Sequence, residues 1–264
     1  MIKLKQLLLE AKAPSIFIPR RMEDRVERMI KVYIRNGSKG NLSLSEMELT
    51  VLPDILKDIN VDGDFYCNGN KLTSLNNVPN SIRGSFNCSS NELTSLIGAP
   101  SSVNGDFYCS DNKLTSLVGA PSSVGGDFDC VNNKLTSLVG APKSVRDSFD
   151  CSLNNLTSLD GVTKSIGSDF ACSNNKLTSL KNSPKTIKGN FFCSGNKLLA
   201  SLEGGPITVK GNFICIDNVN LTSMNGMPKK IEGNVICHRN GKNFNSWEVS
   251  KLSDVKGYVN TSGI

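Results

Sequence analysis

Cysteine is the residue type in this chain that could do the most chemistry, because its thiolate is both a nucleophile and a ligand for soft metals. Nine cysteines are separated by 21 residues six times and then by 22 residues twice: Cys67, Cys88, Cys109, Cys130, Cys151, Cys172, Cys193, Cys215 and Cys237. A zinc site needs four ligands close together, and one thiol per 21 residues does not supply them. The single histidine, His238, directly follows Cys237, and neighbouring residues of a strand point to opposite faces. We therefore expect no metal site.

Motifs for other chemistry are missing from the sequence. It has no Gly-x-Ser-x-Gly elbow, no phosphate-binding loop and no Cys/His pairing. Serine and threonine are frequent only because a repeated unit contains them. We expect a protein that is not an enzyme and that needs no cofactor.

The even spacing of the cysteines indicates an internal repeat. The segment Gly105 to Val124, GDFYCSDNKLTSLVGAPSSV, returns at once as GDFDCVNNKLTSLVGAPKSV. Eight good copies run from Val61 to about Ile231, after a degenerate copy that starts at Gly40. Such a period is typical of solenoids, in which each repeat forms one coil that is stable only when it stacks on its neighbours.

Each repeat has inward positions that the strand pleat defines. In Asp-Phe-Tyr-Cys, the pleat points Phe107 and Cys109 into the core, where a reduced thiol acts as a small apolar side chain. We expect free thiols and a reducing, intracellular setting rather than disulfides. Asn112 is expected to turn inward and to bridge backbone groups of its own coil and the next one. Leu114 and the leucine three residues later complete the core strip.

The frame Phe-x-Cys-x-x-Asn-x-Leu-x-x-Leu resembles the leucine-rich-repeat consensus, with Phe and Cys in place of the first two leucines. The resemblance covers residues from about 40 to 245, and the Pro-x-x-Val segment that closes each copy is similar to short bacterial repeats of 20 to 22 residues. It implies a predominantly β solenoid of the α/β-repeat superfamily, with about ten coils, short parallel strands and an extended convex side. Thr163 replaces the proline, and Asp147 and Ser168 replace the opening glycine, so the fifth and sixth coils are expected to be less regular.

The two ends of the chain differ from the repeats. Residues 1–19 are expected to be a tail or targeting segment, residues 20–39 a capping helix, residues 40–245 the solenoid and residues 246–264 a C-terminal cap. The helix is predicted from apolar residues on one face: Met22, Val26, Met29, Ile30, Tyr33 and Ile34. In the C-terminal cap we expect Trp247, Leu252 and Val255 to pack on the last repeat.

Charge is concentrated at the N-terminus. Residues 1 to 40 contain ten Lys and Arg against four acids, which accounts for the whole net charge of +6, and the rest has 20 of each. The repeats therefore carry no net charge that would favour nucleic-acid binding, and we expect none. The apolar run at the N-terminus is too short for a secretory signal, and no stretch approaches the roughly 20 apolar residues of a membrane span.

Outward strand positions are the ones free to specialise, so we predict that a protein partner of unknown identity binds the concave strand face. The candidate partner-binding residues are Tyr66, Asp106, Tyr108, Asp127, Asp129, Asp150, Phe192, Ile214 and Ile236. The apolar end of this row is either an interaction site or is covered by the C-terminal cap. The acidic middle either confers solubility or forms a groove for a basic partner segment.

The first ten residues, MIKLKQLLLE, resemble the capsid-targeting peptides of internal head proteins of large tailed phages, which are cut after Leu/Ile-x-Glu. The match gives a processing site at Leu8, Glu10 and Ala11, although Leu44-Ser45-Glu46 fits the same pattern. The alternative is an ordinary amphipathic start. The sequence thus predicts a non-enzymatic protein-binding module that is intracellular or packaged in a virion. The other hypotheses are a structural virion protein that uses the solenoid as a rigid spacer, and a bacterial effector-type recognition domain.

Overall fold

The alternation of apolar and polar residues around each Phe and Cys produces one very short strand per repeat. A computed structural model of the protein describes residues 20–263. Eleven two-residue strands pair in parallel and in sequence order into a single sheet, the front sheet. Its strands are Leu42–Ser43, Phe65–Tyr66, Phe86–Asn87, Phe107–Tyr108, Phe128–Asp129, Phe149–Asp150, Phe170–Ala171, Phe191–Phe192, Phe213–Ile214, Val235–Ile236 and Val259–Asn260. The predicted β solenoid of about ten coils is confirmed.

The opposite side of each coil is also extended, as the Pro-x-x-Val segments predict. It forms three small parallel sheets. Their strands are Asn60–Val61 and Ser81–Ile82; Ser102–Val103, Ser123–Val124 and Ser144–Val145; and Thr186–Ile187, Thr208–Val209, Lys230–Ile231 and Asp254–Val255. The coil with Thr163 contributes only an isolated bridge between Val145 and Ile166. The front sheet continues through the same coils, with Phe149 paired to Phe170, so the irregularity is confined to the back.

A helix covers the N-terminal end of the solenoid. Helix α1 spans Arg20–Arg35. Val26, Ile30 and Tyr33 on one face are buried in the same cluster as the core leucines of the first coil. The Tyr33 hydroxyl donates hydrogen bonds to the carbonyl oxygens of Ser38 (2.7 Å) and Gly40 (3.2 Å), which fastens the helix to the start of the first coil. A short 3₁₀ helix, Asp54–Asp58, lies between the front strand and the back strand of that coil.

The core is a stack of phenylalanines. All eight rings are fully buried: Phe65, Phe86, Phe107, Phe128, Phe149, Phe170, Phe191 and Phe213. Neighbouring ring centroids are 5.0 to 5.9 Å apart. Aromatic pairs at this distance attract one another in addition to the apolar area that they bury. The predicted inward phenylalanine column is confirmed.

The C-terminal segment adds one further coil to the solenoid. Helix α2, Ser246–Ser250, begins with a capping box in which the Asn245 side chain accepts from the Glu248 backbone N–H. This start points Val249 into the core and leaves Trp247 65% exposed. Leu252 is also exposed, and of the three residues expected to pack as a cap only Val255 lies against the core. The strands Asp254–Val255 and Val259–Asn260 then extend the back and front of the solenoid.

Two further expectations concern the chain as a whole. The predicted processing site at Leu8, Glu10 and Ala11 lies outside the described residues. Within residues 20–263, no helix is both long enough and apolar enough to cross a membrane.

Candidate partner-binding face

The nine thiols serve as core side chains. All nine cysteines are free and buried. Burial raises the pKa of the eight thiols from Cys67 to Cys215. Several donate a hydrogen bond to a backbone carbonyl of the following coil, as Cys130 does to Asp150 at 3.3 Å. Among the described residues, no group of three or more His, Cys, Asp or Glu is arranged to hold a metal ion.

Thiol accessibility gives a first prediction. A disulfide reagent at about pH 8 is expected to leave all nine thiols of the native protein unreacted, because all nine are buried away from the reagent and burial raises the pKa of eight of them. Cys237 is expected to react first as urea opens the solenoid, since it belongs to the cysteine-bearing coil nearest the C-terminal end of the stack, and the ends of a repeat array open before its middle. Mass spectrometry of partly labelled protein identifies the site. Rapid labelling of several cysteines without urea would contradict a closed core.

The asparagine column forms a hydrogen-bonded ladder between coils, in which Asn218 takes part through its Oδ1 and not its Nδ2. Asn112 Nδ2 donates to the carbonyl oxygens of Cys88 (3.0 Å) and Cys109 (3.2 Å), and its Oδ1 accepts from the N–H of Leu93 (3.0 Å). The ladder was predicted, but its direction was wrong, because Asn112 reaches back to the preceding coil. The reason is that the carbonyl of each cysteine points towards the following coil, and the amide of that coil's asparagine is the donor that meets it.

A second ladder runs along the residue that precedes each phenylalanine. Asp106 Oδ1 accepts from the N–H of Asp127 (2.8 Å), and Asp127 Oδ1 accepts from the N–H of Ser148 (2.7 Å). The same contact recurs through the last coils, where Asn212 Oδ1 accepts from the N–H of Asn234 (2.8 Å). Two residues predicted to bind a partner, Asp106 and Asp127, therefore have one carboxylate oxygen committed to holding the next coil.

Sequence reasoning missed this second ladder, although a signal for it was present. Every residue in the column from the first to the tenth coil has a short side chain with an oxygen acceptor: Asn41, Asp64, Ser85, Asp106, Asp127, Ser148, Asp169, Asn190, Asn212 and Asn234. Such side chains are the ones that bond nearby backbone N–H groups. Several were instead interpreted as an acidic surface.

The two tyrosines of the face are hydrogen-bonded to the second ladder. The Tyr66 hydroxyl donates to Asp64 Oδ2 (2.8 Å), and the Tyr108 hydroxyl donates to Asp106 Oδ2 (3.0 Å). Burial, followed by the hydrogen bond to the Asp106 carboxylate, raises the pKa of Tyr108 to about 12. Both rings therefore lie in fixed positions with their hydroxyl protons already donated.

A third ladder flanks the other edge of the face. Ser152 Oγ accepts from the N–H of Ser173 (3.2 Å), Ser173 Oγ from that of Ser194 (3.1 Å), and Ser194 Oγ from that of Ile216 (3.0 Å). These hydroxyls lie two residues after the outward residue of each strand. Both edges of this part of the front sheet are thus bound to the next coil by side-chain oxygens.

Between the two edge ladders lies the column of residues that separate Phe from Cys, which we call the central column. Its members are half-buried and paired in register: Tyr66, Asn87, Tyr108, Asp129, Asp150, Ala171, Phe192, Ile214 and Ile236. Asp129 and Asp150 each use one oxygen to accept from the N–H two residues further on, at 2.9 and 2.8 Å. Burial raises the pKa of Asp129, and the neighbouring charge of Asp150 adds to the effect.

The apolar end of the central column is Phe192, Ile214 and Ile236 on three adjacent strands. Helix α2 packs at Val259–Asn260, one coil further on, and the three side chains remain half-buried. The face therefore brings together the two groups predicted from the sequence, an acidic pair and an apolar row, on neighbouring coils. Ala171 is the single residue between them.

His238 lies on the same outward side of its strand as Ile236, two residues further along, whereas Cys237 points into the core. Its Nδ1 is buried and has no hydrogen-bond partner among the described residues. Gly263 packs so closely on the ring that a Cβ there would lie 3.0 Å from Nδ1. The imidazole and the thiol are therefore separated by the strand, as their adjacency in sequence predicts.

The inward columns of the solenoid repeat the same residues, while the central column changes from coil to coil. Its side chains are the ones that differ in shape, polarity and charge along the face. Comparison with protein-family models and with curated proteins gave no match for this chain.

Proposed function

We propose that this protein is a non-enzymatic recognition module of the leucine-rich-repeat type that binds a protein partner through its central column. The proposal rests on the different roles of the edge ladders and the central column of the front sheet. The edge ladders hold the coils together, whereas the central column differs from coil to coil and remains half-exposed. Binding residues are commonly presented in this way, on a rigid scaffold that tolerates their variation.

The apolar row supports protein recognition in particular. Phe192, Ile214 and Ile236 are contiguous, and contiguous apolar residues at a surface mark sites where another protein excludes water. A solenoid that served only as a rigid spacer would need no such row, because polar residues fit the same column at Asn87 and Asp129. Recognition is therefore favoured over the spacer hypothesis.

Site-specific photo-cross-linking tests the proposal. A photoreactive phenylalanine analogue at position 214 is expected to trap a partner in cells that express the full chain, because that side chain lies within the proposed interface. The matched control is position 139, where Val139 is 56% exposed outside the front sheet. A partner trapped at 139 and never at 214 would show that binding uses another surface. No adduct at either position would favour the spacer.

A further inference from the structure

We propose that the segment recognised by this face is an amphipathic α-helix that lies along the stack of coils. Its basic end would lie over Asp129 and Asp150, and its apolar end over Phe192, Ile214 and Ile236. The inference rests on the proposed function and specifies the chemistry and shape of the partner. It follows from the order of residue types along the central column, the spacing of the coils and the hydrogen bonding of the front sheet.

The three side chains at the apolar end of the face offer hydrophobic contact. Phe192, Ile214 and Ile236 follow one another in register without a polar residue between them. Along one edge, Asn190 and Asn212 each direct an amide oxygen to the backbone of the next coil. The amide oxygens along this edge are therefore already satisfied, and the favourable binding free energy available at the row comes from removing apolar side chains of a partner from water.

The acidic end has charge without a counterion. Within residues 20–263, neither Asp129 nor Asp150 forms an ion pair with a lysine or arginine. Two further acids, Asp106 and Asp127, lie in the adjoining edge ladder and add negative potential. A basic partner side chain would find charge complementarity here, and it would relieve the repulsion between the two neighbouring carboxylates of the central column.

Strand addition does not fit this part of the face. Each strand from Phe128–Asp129 to Val235–Ile236 already has a neighbour on both sides in the front sheet. A peptide backbone therefore finds no free strand edge among these coils and can contact them only through side chains. Peptides that bind by strand addition need an exposed edge.

The repeat distance favours a helix over an extended peptide. Adjacent coils are about 4.8 Å apart, whereas same-side residues of an extended chain repeat at about 6.7 Å and lose register within three coils. A helix places residues on one face every three or four positions with a pitch of about 5.4 Å, which is closer to the coil spacing. The five steps from Asp129 to Ile236 cover about 24 Å, the length of a helix of about 16 residues.

The test uses a synthetic helical peptide of about 16 residues. It carries lysines on one face of its first two turns and leucines at i, i+3 and i+7 in its last two, with alanine and glutamine elsewhere. Binding to the full chain is measured by fluorescence anisotropy of a labelled peptide at low and at moderate salt. We expect saturable binding that weakens as salt is raised, because part of the attraction is between exposed charges.

The matched variants exchange residue types that the central column already holds, so each coil is expected to fold. Ile214→Asp and, separately, Asp129→Ile are expected to weaken binding about tenfold or more, which corresponds to about 1.4 kcal/mol. Val139→Asp, on another surface, is expected to leave it unchanged. Thermal and urea unfolding of each variant check that the fold is retained.

Several outcomes overturn the inference. The first is that the designed peptide does not bind. The second is that a scrambled peptide, whose leucines surround the helix, binds as tightly as the designed one. The third is that the Ile214→Asp variant binds the designed peptide as tightly as the unmodified chain does. If the peptide fails while cross-linking at position 214 still traps a partner, the helix is the wrong partner and the recognition function stands. If the peptide does not bind and cross-linking at position 214 traps no partner, the proposed recognition function is contradicted as well.

Discussion

Replacement of Phe128 by alanine is expected to lower the free energy of unfolding by about 3 to 5 kcal/mol. The ring is fully buried between those of Phe107 and Phe149, at centroid distances of 5.6 and 5.0 Å. Its removal leaves a cavity that both neighbouring coils line, and their backbones are held apart by the ladders. The site therefore cannot collapse to recover the lost contacts, which places the cost in the range for phenylalanine in a rigid core.

Urea unfolding followed by circular dichroism measures this loss. Val139→Ala is the matched control, because Val139 is 56% exposed and its truncation is expected to change stability by about 0.5 kcal/mol or less. A loss below about 1 kcal/mol for the Phe128 variant would be inconsistent with a continuous phenylalanine core.

Replacement of Asn133 by alanine is expected to cost about 3 kcal/mol or more, since it leaves several buried backbone groups without a partner. Asn133 Oδ1 accepts from the N–H of Leu114 (3.0 Å), and Nδ2 donates to the carbonyl oxygens of Cys109 (3.0 Å) and Cys130 (3.2 Å). The side chain is only 7% exposed, so water cannot easily replace it. Each unsatisfied buried group costs about 1 to 3 kcal/mol.

The same urea measurement applies, with Asn104→Ala as the control because Asn104 is exposed. Asn133→Asp adds a second test of the ladder. It retains an acceptor but directs a carboxylate at two carbonyl oxygens, so the variant is expected to be less stable at neutral pH and to recover part of the loss as the pH falls and the carboxylate is protonated. If Asn133→Ala and Asn104→Ala have equal effects, the ladder is not a source of stability.

The residue order alone predicted most of the outward-facing residues of the front sheet. The acidic pair and the apolar row of the central column were predicted, because the side-chain period of a strand decides which residues point outward once Phe and Cys are known to point inward. Asp106 and Asp127 were predicted to bind a partner through their carboxylates. The structure shows that each also commits one carboxylate oxygen to the next coil, a structural role that the residue order alone did not reveal.

The C-terminal segment illustrates a second limit of the sequence pattern. Residues 246–264 share neither the Phe nor the Cys of the repeats, so those two columns do not indicate another coil, although Val255-Lys256-Gly257-Tyr258-Val259 keeps the spacing of Ile231-Glu232-Gly233-Asn234-Val235. In the structure, Val259 takes the register position of the phenylalanines beside Val235. A short strand forms there because the preceding coil presents unpaired backbone groups, which any extended segment can bond regardless of its side chains.

The sequence by itself determined the repeating coil, its core columns and the parallel front sheet. A period of 21 or 22 residues with the same inward side chains can bury them only by stacking one coil on the next. Only the tertiary structure decided the direction of the asparagine ladder, the two edge ladders and the extra coil at the C-terminus. The physical reason is that hydrogen bonds between coils depend on where backbone N–H and carbonyl groups point, and the residue types alone do not specify that direction.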